Sequence, residues 1–130
     1  MTTRLEIDAP DLARSVALAP VPLRNSAALA VVRALLSHFP EMAQQLNELL
    51  HSSDQEASTV LAERLDQEYF ALDEQRDERA VQRFAEARAA MAVKFALEGS
   101  ADEALYEAIM ALDDGEYVEA IFRNALRRAV

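Results

Sequence analysis

Cysteine does not occur in this chain of 130 residues. That absence removes thiol catalysis, thiolate metal sites and disulfide frameworks together, and fits a reducing cytoplasm. Glycine occurs only twice and aromatic residues make up only 6% of the chain. A Gly-rich phosphate loop is therefore excluded, and a core has to be built from small and aliphatic side chains that let helices approach closely. Long apolar runs are missing as well. The longest, Ala27 to Val32, falls far short of the roughly 20 residues that span a bilayer. Met1 to Asp11 carries one arginine, three acids and no apolar segment, unlike a secretory signal. A cytoplasmic protein without membrane contact is the expectation.

Positive charge is scarce. Lysine and arginine number 13 against 23 acids, for a net charge of −10, and Lys94 is the lone lysine. Arginine with so much alanine points to a GC-rich, bacterial coding sequence. The deficit of cations disfavours any general field for DNA, RNA or anionic lipid, whose phosphates are bound through Lys and Arg. The expected partner is another protein with a basic surface, with no direct nucleic acid.

What the chain does have is helical periodicity, and the predicted fold class is all-α: a single domain over 1–130 with about six or seven helices in antiparallel αα-hairpins. Asp8 is placed as the cap of a first helix running to about Ala19, and Pro20 and Pro22 impose an elbow before a restart at Asn25 or Ser26. From Ala27 to Leu36 only Arg33 is polar, so the second helix should be the most buried element. Phe39-Pro40 leads into a third, Glu41 to His51. Ser53-Asp54-Gln55-Glu56 reads as a capping box that opens a fourth helix, with Ala57, Val60, Leu61, Leu65, Tyr69 and Leu72 as its stripe. A fifth helix carries Ala80, Val81, Phe84, Ala87, Met91, Ala92 and Phe95 and ends at Gly99. Residues 54–98 form either one long helix or two joined by a turn near Asp73 to Asp77; the turn lets both stripes face one core. Ser100-Ala101-Asp102-Glu103 repeats the capping box before a sixth helix with Leu105, Ala108, Ile109 and Leu112.

Leu112-Asp113-Asp114-Gly115-Glu116-Tyr117 then reads as a hinge, with an aspartate capping the last helix and Gly115 relieving crowding or taking a backbone angle that other residues avoid. Val118, Ile121, Phe122, Ala125 and Ala129 are expected inward, with Arg123, Arg127 and Arg128 at the negative pole. Gly115-Glu116-Tyr117 and Glu119-Ala120-Ile121 resemble the turn and second helix of a tetratricopeptide repeat, although Ala125-Leu126 come two residues earlier than that repeat's spacing and no second copy stands upstream. The resemblance implies an αα-hairpin.

Catalytic constellations are absent from the motifs. No GxSxG or HExxH occurs, and Ser26, Ser53 and Ser100 sit at predicted caps. His38 and His51 fall in last turns, where an imidazolium faces free carbonyls. Glu48-Leu49-Leu50-His51 has the ExxH spacing of di-iron bundles, which need two such motifs and two further glutamates; this chain has one. No catalytic residue, cofactor or metal ligand is assigned.

Charge is segregated instead. Residues 54–78 hold nine acids and two arginines, a net −7; residues 102–119 hold seven acids and no base, also −7; the intervening 79–101 is +2. Such acids serve as solvated helix faces and caps, or they present a negative surface to a basic partner. The candidate partner-binding residues are Asp73, Glu74, Asp77, Glu78, Tyr106, Asp113, Asp114, Glu116 and Tyr117, with the two tyrosines either anchors or packing residues. The expected function is a non-catalytic protein-binding module of the adaptor, chaperone or regulatory kind. The alternative is an inhibitor encoded by a phage or mobile element that imitates nucleic-acid charge, and a carboxylate/histidine metal-binding bundle is a third reading. Mimicry calls for a continuous acidic strip, whereas an adaptor calls for an apolar patch or groove rimmed by charge. Alanine-rich faces also suggest a homodimer.

Overall fold

Thr3, rather than Asp8, begins the helical structure: its side chain accepts a hydrogen bond from the Glu6 amide at 3.1 Å. In the computed structural model, which describes residues 2–129, the chain forms eight helices and no strand among the described residues: α1 Arg4–Asp8, α2 Pro10–Leu18, α3 Val21–Leu36, α4 Ala43–Ser52, α5 Gln55–Glu74, α6 Ala80–Leu97, α7 Ala101–Leu112 and α8 Gly115–Arg128. The short α1 is an element that the periodicity misses, and Asp8 lies inside it. Ala9 both closes α1 and precedes α2, with Pro10 as the first helical residue.

The two later prolines do not delay the third helix. Pro20 is the N-cap of α3 and Pro22 lies in its first turn, where the missing amide costs no intrahelical bond. The helix therefore starts about one turn before Asn25. Arg24 helps to close the preceding end by donating to the carbonyls of Ala17 and Ala19 at 3.2 and 2.8 Å.

One of the expected caps shifts by one residue. Ser53 ends α4 in the left-handed conformation, φ 55°, and Asp54 caps α5 by accepting from the Ala57 amide at 2.9 Å. Between α5 and α6 the chain does turn: Arg76 takes φ 54° and the Asp77 carboxylate accepts from the Arg79 amide at 2.9 Å. Gly99, φ 78°, separates α6 from α7. Ser100 precedes α7 without making a side-chain cap bond.

The last hinge assigns its roles differently from expectation. Asp113 takes the left-handed angle, φ 52°, and Asp114 caps α8 through the Tyr117 amide at 3.0 Å. Gly115 has no unusual backbone angle, and a Cβ built on it would meet only Ile109 Cγ2, at an ordinary 4.0 Å. Its lack of a side chain is not required there.

Alanine sets the packing. Ala87, Ala89, Ala90, Ala92 and Ala96 of α6 and Ala101, Ala104, Ala108 and Ala111 of α7 are all buried, so these helices lie close, with Val93 and Leu105 filling between. α7 buries six of its 12 residues against six of 16 for α3; α7, packed on α1, α2, α3, α6 and α8, is the more enclosed of the two. Phe39 and Met42 close one end of the core, and Phe122 and Val118 bring α8 onto it. Ala129, expected inward, is exposed, and so are Val60 and Val81. Among the described residues no helix is long and apolar enough to cross a membrane.

Candidate functional site

Ion pairs fix the register of the three central helices. Arg88 of α6 pairs with Asp66 of α5 and, at 3.0 Å, with Glu107 of α7, while Arg83 reaches Glu68 at 3.5 Å. α5 and α7 thus run antiparallel to α6 on either side of it. The α5–α6 turn and the α7–α8 turn come out at one end of the molecule. The C-terminal end of α3 joins them there, because His38 Nε2 lies 3.3 Å from the Tyr117 hydroxyl and the two rings meet edge to face.

Eight of the nine candidate residues share this end. Asp73 and Glu74 close α5, Asp77 and Glu78 form the turn, and Asp113, Asp114, Glu116 and Tyr117 surround the second hinge; all are exposed except Asp77, which is partly covered. Tyr106 does not join them. It lies half-buried on α7 under the guanidinium of Arg4, 4.2 Å from its ring centre, and that cation covers it. The acids also fall into two groups rather than one strip, since α6 lies between α5 and α7, with Arg79 at its N-cap and Arg83 in its first turn. Helix axes pack about 8–10 Å apart, so α6 separates the groups by about twice that distance.

The acidity of Asp77 is clearly shifted. Hydrogen bonds from the Arg79 side chain and amide hold its carboxyl at about 2. The Arg79 guanidinium spans both carboxylate oxygens at 2.7–3.2 Å, so this pair is spent within the turn, and the acids left there are Asp73, Glu74 and Glu78, beside the exposed Arg76.

Apolar side chains stand beside those acids: Phe70, which the periodic reading left out, and Val81, which it placed in the buried stripe. Phe70 of α5 is 61% exposed and Val81 of α6 is 78% exposed. Tyr69 packs between the two helices, its ring 5.3 Å from Phe70 of α5 and 5.2 Å from Phe84 of α6. The available signal was phase: Phe70 lies one step off the stripe Leu61, Leu65, Tyr69, Leu72, and Val81 one step beyond the buried Ala80.

Further up the same helices is a charged cluster that bridges four elements. Glu107, 1% exposed, accepts from Arg88 at 3.0 Å and from Arg4 at 3.1 Å; Arg4 also pairs with Glu103 and Arg88 with Asp66. Burial pushes the Glu107 carboxyl up, against the opposing pull of the two arginines. The cluster ties α1 to α7, and α7 through α6 to α5. Each of its charged side chains has an ion-pair partner within the chain, which makes it a fastening.

Glu48 and His51 are both exposed on α4, in a shallow depression with Arg33 and Leu50. Among the described residues no three His, Cys, Asp or Glu side chains converge to hold a metal ion. No protein-family model matches this chain, and neither a curated protein nor a solved structure matches it.

Proposed function

We propose that this chain is a non-catalytic protein-binding module whose working surface is the tip of the α5–α6 hairpin. One observation carries the reading: two large apolar side chains, Phe70 and Val81, exposed at 61% and 78%, flank a turn that also bears Asp73, Glu74 and Glu78. Covering such a side chain is worth about 1.5–3 kcal/mol, and an apolar anchor ringed by charge is the usual build of a binding hot spot. The acids select and steer a basic partner, while the apolar pair supplies residence time. The partner is thus a protein segment with an apolar anchor flanked by Lys or Arg.

The division of the acids by α6 and its arginines favours this reading over imitation of a phosphate backbone, which calls for regularly spaced charge without interruption. The resemblance of the α7–α8 hairpin to a tetratricopeptide unit is compatible with recognition by helix surfaces and contributes no further residue to the tip.

Selection from a displayed library of random peptides tests the reading, with the intact chain and the Phe70→Ser/Val81→Ser variant as parallel baits. Enriched sequences should pair aromatic or aliphatic anchors with Lys or Arg, bind the variant at least about tenfold more weakly, and weaken as salt rises. Enrichment of acidic sequences, or equal binding to both baits, would overturn it.

A further inference from the structure

Two stretches of this acidic chain contain no acid at all. Residues 12–40 and 120–130 hold six arginines, Arg14, Arg24, Arg33, Arg123, Arg127 and Arg128, in a molecule of net charge −10. They include all of α3 and the larger part of α8, and these two helices pack on each other. The pair runs antiparallel from the contact between His38 and Tyr117. One turn further along, Ala34 stands by Ile121, and one turn beyond that, Ala30 stands by Ala125. Three alanines at these four positions leave a shallow groove of ≈ 470 Å³ between the helices, with Arg33 and Arg128 on its rim. The four apolar residues are partly exposed and both arginines are exposed.

Elsewhere the arginines are committed to carboxylates of their own chain, as in the pairs of Arg4, Arg79, Arg83 and Arg88. Arg33, Arg127 and Arg128 are in no ion pair among the described residues. Unpaired cations around an apolar floor fit a ligand that combines negative charge with apolar area. The chain carries such a surface itself. The α5–α6 tip presents the exposed Phe70 and Val81 with Asp73, Glu74 and Glu78, against one unpaired cation, Arg76.

We infer that the groove between α3 and α8 receives the hairpin tip of a second copy of this chain, with the apolar pair on the floor and the tip carboxylates at Arg33 and Arg128. The inference rests on the reading of the tip as a docking surface and names its partner. A nucleic acid would match the arginines alone, whereas the tip matches both the arginines and the floor. The net charge of each copy opposes association at long range, but in about 0.1 M salt that repulsion is screened beyond about 10 Å, and ion pairs in contact persist. Tip and groove are different surfaces, so the contact is heterologous. Each added copy leaves a free tip and a free groove, and growth continues unless a ring closes.

Sedimentation velocity tests this. In about 0.1 M salt the wild type should form species larger than a monomer that grow with concentration and shrink as salt is raised to about 1 M. Phe70→Ser/Val81→Ser breaks the tip, and Arg33→Glu/Arg128→Glu reverses the rim of the groove; all four positions are exposed, and circular dichroism checks that the helices are kept. Each variant alone should associate at least about tenfold more weakly than the wild type. Mixed in equal amounts, the two should form a 1:1 dimer and nothing larger, because one intact tip and one intact groove remain between them. A wild type that stays monomeric up to about 1 mM, undiminished association of either variant alone, or a mixture without dimer would overturn the inference. So would a monomeric wild type whose groove binds a fluorescent oligonucleotide and loses it in Arg33→Glu/Arg128→Glu, which would give this face to nucleic acid. Peptide selection on Arg33→Glu/Arg128→Glu still reports on the tip, so failure of self-association and failure of the tip as a docking surface give separate results.

Discussion

Replacing Arg88 by methionine isolates the buried charge cluster. Methionine keeps most of the aliphatic stem, so packing between α5 and α6 is nearly conserved and the change is mainly electrostatic. What remains is Glu107, 1% exposed, facing only Arg4 at 3.1 Å, a side chain that is itself 48% exposed and screened by water. Removing one partner of a buried ion pair costs about 3–5 kcal/mol. Two terms adjust that figure. Asp66, 26% exposed, regains water and adds little. The Arg88 Nε atom, buried without a partner in the wild type, disappears, which returns about 1 kcal/mol. The expected net loss is about 2–4 kcal/mol, read as a lower urea midpoint at unchanged slope. The double variant Arg88→Met/Glu107→Leu removes both charges, leaves Asp66 and Arg4 in contact with water, and should return to within about 1 kcal/mol of the wild type.

The pH dependence of the single variant gives an independent check. Glu107 already has its carboxyl raised by burial above an ordinary value near 4.5, and loss of Arg88 raises it further. A raised folded value means that the folded state holds the proton more tightly than the unfolded chain. Ionisation therefore costs stability: the penalty is absent below the ordinary value and grows as pH rises toward the raised one. The deficit of Arg88→Met should be smaller at pH 5 than at pH 7.5, and the double variant should show no such difference. A single-variant loss under about 1 kcal/mol, or a deficit independent of pH, would refute the assignment of Glu107 as a carboxylate held in place by its arginines.

Three further outcomes follow from the helix ends and the hairpin turn. Arg76→Gly should stabilise the chain by about 0.5–1 kcal/mol in urea unfolding, because φ 54° strains any residue with a Cβ; an unchanged midpoint would show that Arg76 makes a compensating contact. Asp114→Ala should cost about 1 kcal/mol, since its carboxylate accepts from the Tyr117 amide, whereas Ser100→Ala, at a helix start with no side-chain cap bond, should cost almost nothing; equal losses would contradict the cap assignment. Carbon-detected titration should place the Asp77 carboxyl at about 2, and Arg79→Gln should return it toward 3.8, its ordinary value. A depressed value means that whatever stability this exposed pair contributes is present above the ordinary range and is lost as pH falls toward 2.

Local rules left the all-α class, the turn between α5 and α6 and the alanine-based packing legible in the sequence, because each depends on neighbours within a turn or two. The misplacements have equally local causes. Pro20 and Pro22 read as an interruption when the first turn of a helix accommodates them, and Asp8 looked like a cap because Thr3, the real one, precedes a helix of only five residues. Gly115 drew attention by its rarity, yet Asp113, with its short polar side chain, bears the left-handed angle. Four of the candidate residues lie at or beside each of the two hinges, all exposed but Asp77, whereas Tyr106 was grouped with them by sequence proximity alone. The cation that covers it comes from Arg4, about a hundred residues away, and no local pattern announces such a pairing.

Among so many acids, the informative ones are those whose helical phase coincides with an apolar stripe. Glu107 shares its spacing with Ala104, Ala108 and Ala111, and Glu86 shares its spacing with Ala89, Ala90 and Val93; these are the chain's two buried glutamates. A carboxylate on the inner face of a helix has to meet a cation or lose its charge. Glu107 meets two arginines from its own chain and fastens four helices. Glu86 meets one, Arg83 at 3.3 Å, which also approaches Glu68 at 3.5 Å. The same physical demand is satisfied within the chain in both cases, by two cations in the first and by one shared cation in the second.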